Sequence, residues 1–262
     1  MGEPGKPVVS GGGSSVPAVT EPEHRRATRA GYDVIAEQYA EHFAQELASA
    51  PLDRAVMAAF AELVRRDHEV PEVLEVGSGP GGVSAHLREL GLSIRGIDLS
   101  PAMVALARRE HPSVAFEVGE MSALAVGDAS LAGVVAWYSL IHVPEAGRPD
   151  VLAEFHRVLA PGGLLLLAFQ IGDHTRHHDQ AFGHPVSLDF HRLRPDAVVA
   201  LLDDAGFEIV ARVEKAPEET SRAAPTPQEM LIVRRPPARQ AGAASCQETP
   251  KRSSTHPNGP NP

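Results

Sequence analysis

The stretch VLEVGSGPGG at residues 73–82, answered by IRGIDLS at 94–100, constrains this chain more than any other part of it. The apolar run Val73–Val76 reads as a buried strand that enters a glycine loop. The second stretch reads as another strand, ending on an acid, Asp98. A buried strand, a loop without side chains, a helix, and a carboxylate after the next strand form the arrangement by which α/β sheets hold a nucleoside. Gly77, Gly79 and Gly81 leave no Cβ where the backbone must turn tightly and approach a ligand. Asp98 offers two acceptor oxygens to the hydroxyls of a ribose. Gly77, Gly79 and Gly82 also satisfy the dinucleotide pattern G-x-G-x-x-G. On glycines alone, an NAD(P)-dependent oxidoreductase and a purely structural turn both stay open.

A chain of 262 residues with 43% hydrophobic and 22% charged residues is globular in composition. A net charge of −10 gives no electrostatic reason to expect a nucleic-acid partner. The single cysteine, Cys246, excludes an intramolecular disulfide and fits a cytoplasmic setting. No apolar run reaches the length of a membrane span, and the N-terminus lacks the apolar core of a secretory signal, so no membrane is expected. Residues 1–23 and 236–262 are rich in small, polar and proline residues and are expected to be disordered tails. The domain is expected over 24–235, with 24–70 as a helical lid.

Two helices are expected first, over 25–48 and 52–66, the second opened by Pro51. Strands and helices then alternate: strands at 73–76, 92–97, 114–118, 131–138 and 164–170, with helices between most of them. Ser100 caps the helix that follows Asp98 and so leaves Asp98 free. Pro161-Gly162-Gly163 is expected to end a helix over 149–159. A helix over 195–205 precedes strands 207–213 and 229–235, which have no helix between them and should pair antiparallel. The expected fold is α/β: a seven-stranded sheet of five parallel strands wound with helices, plus a C-terminal antiparallel hairpin.

In its motifs VLEVGSGPGG, GIDLSPAMVALAR, FEVGEMSAL, VVAWYSLIHVP and EFHRVLAPGGLLLLAF, the chain resembles the class I S-adenosylmethionine-dependent methyltransferases, with their Rossmann-like sheet. The resemblance covers about residues 30–235. It implies S-adenosyl-L-methionine as cofactor and methyl transfer to a small-molecule acceptor, O, N or C. A non-catalytic protein that binds S-adenosylmethionine is the alternative of another class.

The resemblance also implies roles. Glu75, Gly77, Ser78, Gly79 and Gly81 surround the methionine part of the cofactor, with Glu75 near its ammonium. Asp98 accepts the ribose hydroxyls. Glu120 stands where the family has Asp for the adenine amino group, followed by Met121, and Leu99 and Met103 flank the ring. Ala136 and Trp137 touch the methionine part. Tyr32 and Tyr39, seven apart on one helix face, reach its carboxylate end. His142, after the fourth strand, is the acid/base candidate, because imidazole titrates near neutrality. Alignment of acceptor and methyl group alone is the competing account. Residues 172–192 hold five of the thirteen histidines. Read as a loop insert on the acceptor side, this segment lacks a second ligand group with metal spacing, so no metal is expected.

Overall fold

In a computed structural model, residues 21–217 and 226–237 are described. The expected tails, 1–23 and 236–262, lie almost wholly outside these residues. The first helix, α1 (Glu23–Phe43), is shorter than expected and is followed by one turn, α2 (Glu46–Ser49), and by α3 (Pro51–Asp67), which begins at Pro51. Then come β1 (Glu72–Val76), α4 (Gly82–Glu89), β2 (Ser93–Asp98), α5 (Pro101–Glu110) and β3 (Ala115–Val118). The second half runs β4 (Leu131–Trp137), α6 (Arg148–Val158), β5 (Leu159–Gln170), β6 (Thr175–Ala181), β7 (His184–His191), α7 (Pro195–Asp204), β8 (Glu208–Lys215) and β9 (Gln228–Arg234).

Seven strands form one sheet in the order β3-β2-β1-β4-β5-β9-β8. The pairs among β1 to β5 are parallel, and β9 runs antiparallel between β5 and β8. The expected closing hairpin is therefore present, with its second strand inserted next to β5. The sheet carries apolar residues on both faces because both are covered. On one side Phe60 and Val64 of α3 and Leu87 of α4 pack on Val73, Val135 and Leu166. On the other, Phe155 of α6 and Leu202 of α7 pack on Leu74, Val134 and Leu167. The strand order reverses between β1 and β4, which opens a crevice at their carboxyl ends.

Two expectations need correction. Pro161-Gly162-Gly163 does not form a separate helix stop: α6 ends at Val158 and the chain enters β5 directly at Leu159. The three residues are taken up by a register shift between Leu131↔Leu159 and Gly133↔Leu164. The insert at 172–192 is not a loop but a two-stranded antiparallel sheet of β6 and β7, turned by Phe182 and Gly183, both with positive φ. This hairpin packs on α1, where Leu188 sits against the buried Gly31. Other residues of α1 fix it to α5 and its capping residue by polar contacts. Asp33 Oδ1 accepts from Ser100 Oγ at 2.6 Å and from the Ala102 amide at 3.1 Å, and Glu37 pairs with Arg109 at 2.8 Å. Together α1 and the hairpin roof the crevice.

Candidate active site

The glycine loop is held by the strand beside it. The amides of Gly77 and Ser78 both donate to the Ile97 carbonyl, at 2.8 and 2.9 Å. The Gly79 amide donates to Asp98 Oδ2 at 2.8 Å, and the Ser100 amide to Asp98 Oδ1 at 2.8 Å. Asp98 is thus not left free by the Ser100 cap, although that cap is made: Ser100 Oγ accepts from the Met103 amide at 3.1 Å. Both carboxylate oxygens accept backbone amides, and Asp98 lines the cavity. Burial pushes the Asp98 carboxyl above its ordinary range, while the amides it accepts oppose the shift.

Gly79 has φ +51°, and a Cβ built there meets nothing within 4 Å. Its left-handed backbone faces open space where a ligand can lie against the chain. Gly77 is constrained differently. With φ +70°, its absent Cβ would stand 2.4 Å from that of Ser139, so the loop after β4 closes directly on the glycine loop. Gly81 does not line the cavity: its place is under Phe116, against the sheet.

Glu75, on β1, is almost fully buried and accepts a short hydrogen bond from Ser84 Oγ of α4. Burial raises its carboxyl to about 8, with the nearby Asp98 charge adding to the shift and Ser84 opposing it. The Ser78 and Ser139 hydroxyls beside it are buried without a hydrogen-bond partner, and both residues line the cavity. Two orphaned hydroxyls and an open glycine cradle between two carboxylates fit a polar ligand that completes their hydrogen bonds.

Of the residues singled out from the sequence, the cavity brings together Tyr32, Tyr39, Glu75, Gly77, Ser78, Gly79, Asp98, Leu99, Met103, Glu120, Met121, Trp137 and His142. Ala136 is fully buried in the sheet and, like Gly81, does not line it. Glu120 is engaged by Arg25 of α1 through an ion pair at 2.5 Å, and it accepts from Ser122 Oγ, two residues along its own loop, at 2.9 Å. Among the described residues no group of three His, Cys, Asp or Glu could hold a metal ion, and no helix is long and apolar enough to cross a membrane.

His142 sits in the short turn Leu140–His142 after β4, with both ring nitrogens engaged. Nδ1 lies 2.9 Å from the Asp189 carbonyl and Nε2 lies 2.9 Å from the Tyr32 hydroxyl. A carbonyl only accepts, so Nδ1 carries the proton and the bare Nε2 accepts from Tyr32. Burial lowers the imidazole to about 4. It also raises the Tyr32 phenol well above its ordinary range and the Tyr39 phenol to about 12. The dyad is therefore neutral across the physiological range. The neutral-range titration expected of His142 does not fit this environment, because burial of the ring outweighs the Asp189 carbonyl and charge that favour its protonated form.

Sequence reasoning missed Tyr138, Ser139 and Asp33. Tyr138 ends β4 in a left-handed conformation, φ +53°, and turns the chain out of the sheet, while its hydroxyl donates to Gln228 Oε1 at 2.5 Å. The signal for Ser139 was its place two residues beyond a strand's carboxyl end. Asp33 carried none, because its partner Ser100 is 67 residues away.

Residues 73–163 match the family described as a methyltransferase domain. The demethylmenaquinone methyltransferase of Chlorobaculum parvum is 29% identical over 150 residues, 56% of this chain and 61% of that one. The chain spans about three fifths of the length of the curated relatives it matches. An S-adenosylmethionine-dependent methyltransferase from Methanosarcina mazei has the same fold, with a TM-score of 0.59 at 24% identity, covering 65% of this chain and 95% of that one. So does the cyclase SpnF, with a TM-score of 0.63 at 18% identity, covering 83% and 98%. Residues 73–163 thus match a methyltransferase domain, and the seven-stranded sheet with its crevice at the strand-order reversal is a fold that the chain shares with S-adenosylmethionine-dependent methyltransferases.

Proposed function

We propose that the protein is an S-adenosylmethionine-dependent methyltransferase acting on a small-molecule acceptor in the cytoplasm. The observation that carries the reading is the open cradle at Gly79, on a cavity wall that also holds the buried Glu75, the partly buried Asp98 and two buried serine hydroxyls without a hydrogen-bond partner. An ammonium, a carboxylate and a ribose diol give those groups the partners they lack, and the methyltransferase-domain match favours this ligand over a nicotinamide dinucleotide. In this reading Asp98 accepts the ribose hydroxyls, and Glu75 ionises against the ammonium of the methionine moiety. The Arg25-bound Glu120 borders the adenine end. When bound, the cofactor supplies a methyl group on a positively charged sulfur.

The chain's own contribution is alignment and exclusion of water. The roof of α1 and the hairpin covers the carboxyl ends of β4 and β5, where a donor and an acceptor meet in such sheets. His142 acts as a positioning residue. By accepting the Tyr32 hydroxyl's hydrogen bond on Nε2 it leaves the Tyr32 oxygen, in the cavity wall, as an acceptor. Proton removal by His142 itself would require displacing Tyr32, which weighs against a free imidazole base. The acidic chain gives no reason to propose a nucleic-acid acceptor.

A fold shared with a cyclase does not decide the chemistry. Calorimetry with S-adenosylhomocysteine and with NAD separates the cofactor readings. A methyl-label transfer screen over small acceptors then separates an enzyme from a binding protein. Asp98→Ala should weaken S-adenosylhomocysteine by about 10-fold or more, since it strands two hydroxyls in a pocket shaped for them. Preference for NAD, or an Asp98→Ala protein that binds as well as the parent, overturns the assignment.

A further inference from the structure

The two faces of the β6–β7 hairpin have opposite chemical character. Strand side chains alternate. Arg176 and His178 of β6 therefore share a face with their register partners Phe190 and Leu188 of β7. Those residues line the cavity, as does Arg192, which follows β7 directly. His177 and Asp189 take the outer face and pair across it at 2.7 Å. The acids of this segment, Asp173, Asp179 and Asp189, are all absent from the cavity wall.

Arg192 is partly buried at the carboxyl end of β5, where its Nη1 donates to Gln170 Oε1 at 2.8 Å. That partner is a neutral amide. Burial and the adjacent charge of Arg176 hold the Arg192 guanidinium below its ordinary range, and burial, with the two arginines adding to it, lowers His178. Among the described residues neither arginine forms an ion pair, although most other cationic side chains of the roof and sheet do. The cavity wall also carries carboxylates, Asp150 on the first turn of α6 and Glu37, Glu41 and Glu46 on α1 and α2 among them, and among the described residues none forms an ion pair with either arginine. Glu75 and Asp98 stand on β1 and β2, and Glu120 follows β3. In a chain of net charge −10, two neighbouring guanidiniums on one cavity wall, Arg192 partly buried and Arg176 exposed, with no ion pair among the described residues, form a place where a bound anion would supply the partner.

We infer that Arg176 and Arg192 form a clamp for an anionic oxygen group, a carboxylate or a phosphate, on the methyl acceptor, whose apolar body rests on Leu188 and Phe190. The clamp rests on the proposed function for its purpose but not for its detection. The acceptor is then an anionic small molecule with an apolar or aromatic body, oriented by its charged end beneath the hairpin. The positive clamp also rejects cationic acceptors.

Paired probes that differ only in charge test this: para-hydroxybenzoate against para-hydroxybenzamide, and naphthyl phosphate against naphthol. Each is titrated by ligand-detected NMR into the full chain, with and without S-adenosylhomocysteine. The charged member of at least one pair should bind about tenfold or more tightly than its neutral partner, and added salt should reduce the difference. The pair that shows the larger preference tells carboxylate from phosphate. In Arg176→Gln/Arg192→Gln the preference should disappear, while S-adenosylhomocysteine affinity stays within about twofold and the melting temperature is unchanged. Equal binding within both pairs, or a preference that survives the double substitution, overturns the clamp. Failure of S-adenosylhomocysteine to bind the parent protein counts against the cofactor reading instead, and the cofactor-free titrations still decide the clamp.

Discussion

Binding of the cofactor should release a proton, and Glu75 should be its source. In the ligand-free protein the Glu75 carboxyl lies at about 8 rather than 4.5, because it is buried with one hydroxyl as its hydrogen-bond partner. A group at about 8 is roughly 90% protonated at pH 7 and half protonated at pH 8. An ammonium placed beside it favours the charged form and brings it back toward the usual carboxylate range. Binding at pH 7 should then release about 0.9 proton, falling to about 0.5 at pH 8. Calorimetry of S-adenosylhomocysteine binding in buffers of different ionisation enthalpy reads this number directly. Glu75→Gln should abolish the release. Asp98 is also raised, but it remains in the variant and so serves as the internal control. The same carboxyl makes a stability prediction with a definite sign. A folded-state value above the unfolded one means that stability is fullest below about pH 4.5 and is lost as pH rises through about 8. At about 1.4 kcal/mol per pH unit the loss is up to ~5 kcal/mol in the ligand-free protein. Glu75→Gln should flatten this slope in chemical denaturation. Zero proton release at pH 7, or a release unchanged in Glu75→Gln, would refute both the buried-carboxyl argument and the ammonium assignment.

Gly79→Val should remove measurable S-adenosylhomocysteine binding while leaving the fold intact. The valine side chain has room in the free protein, so the cost there is backbone strain of about 1–2 kcal/mol and a fall of a few degrees in melting temperature. Normal binding by the valine protein would reduce the loop to a structural turn. Proton–nitrogen correlation NMR of the imidazole should show His142 neutral with its proton on Nδ1 from pH 8 down to about pH 5. Its contribution to stability should be lost only as pH falls from 6.5 through about 4. A His142 signal that titrates near neutrality, or carries its proton on Nε2, would restore the free-base account.

The cofactor half of the site was legible in the sequence because it is built from short-range pattern. A strand, a glycine loop and a helix follow one another within residues 73–89, and Asp98 stands one strand later. The residues there can be read in order, since parallel neighbours β1 and β2 present their carboxyl ends together. Alternation of apolar strands with helices likewise announced the sheet, and the absence of a helix between β8 and β9 announced the antiparallel pair.

What lay beyond the sequence was long-range. No local pattern says that β9 inserts between β5 and β8, because strand order is decided by which apolar faces become buried together. The histidine-rich insert reads as a polar loop, since β6 and β7 bury little of themselves. Only the closed hairpin and its docking on α1 separate an inner face of Arg176, Arg192, Leu188 and Phe190 from an outer face of acids. The same holds for His142. Its residue type suggested a base, but its protonation depends on the Asp189 carbonyl and the Tyr32 hydroxyl, 47 and 110 positions away. Sequence order specifies which groups are available along each strand and loop. Burial and partners brought from distant segments set their charge, and those exist only once the chain has folded.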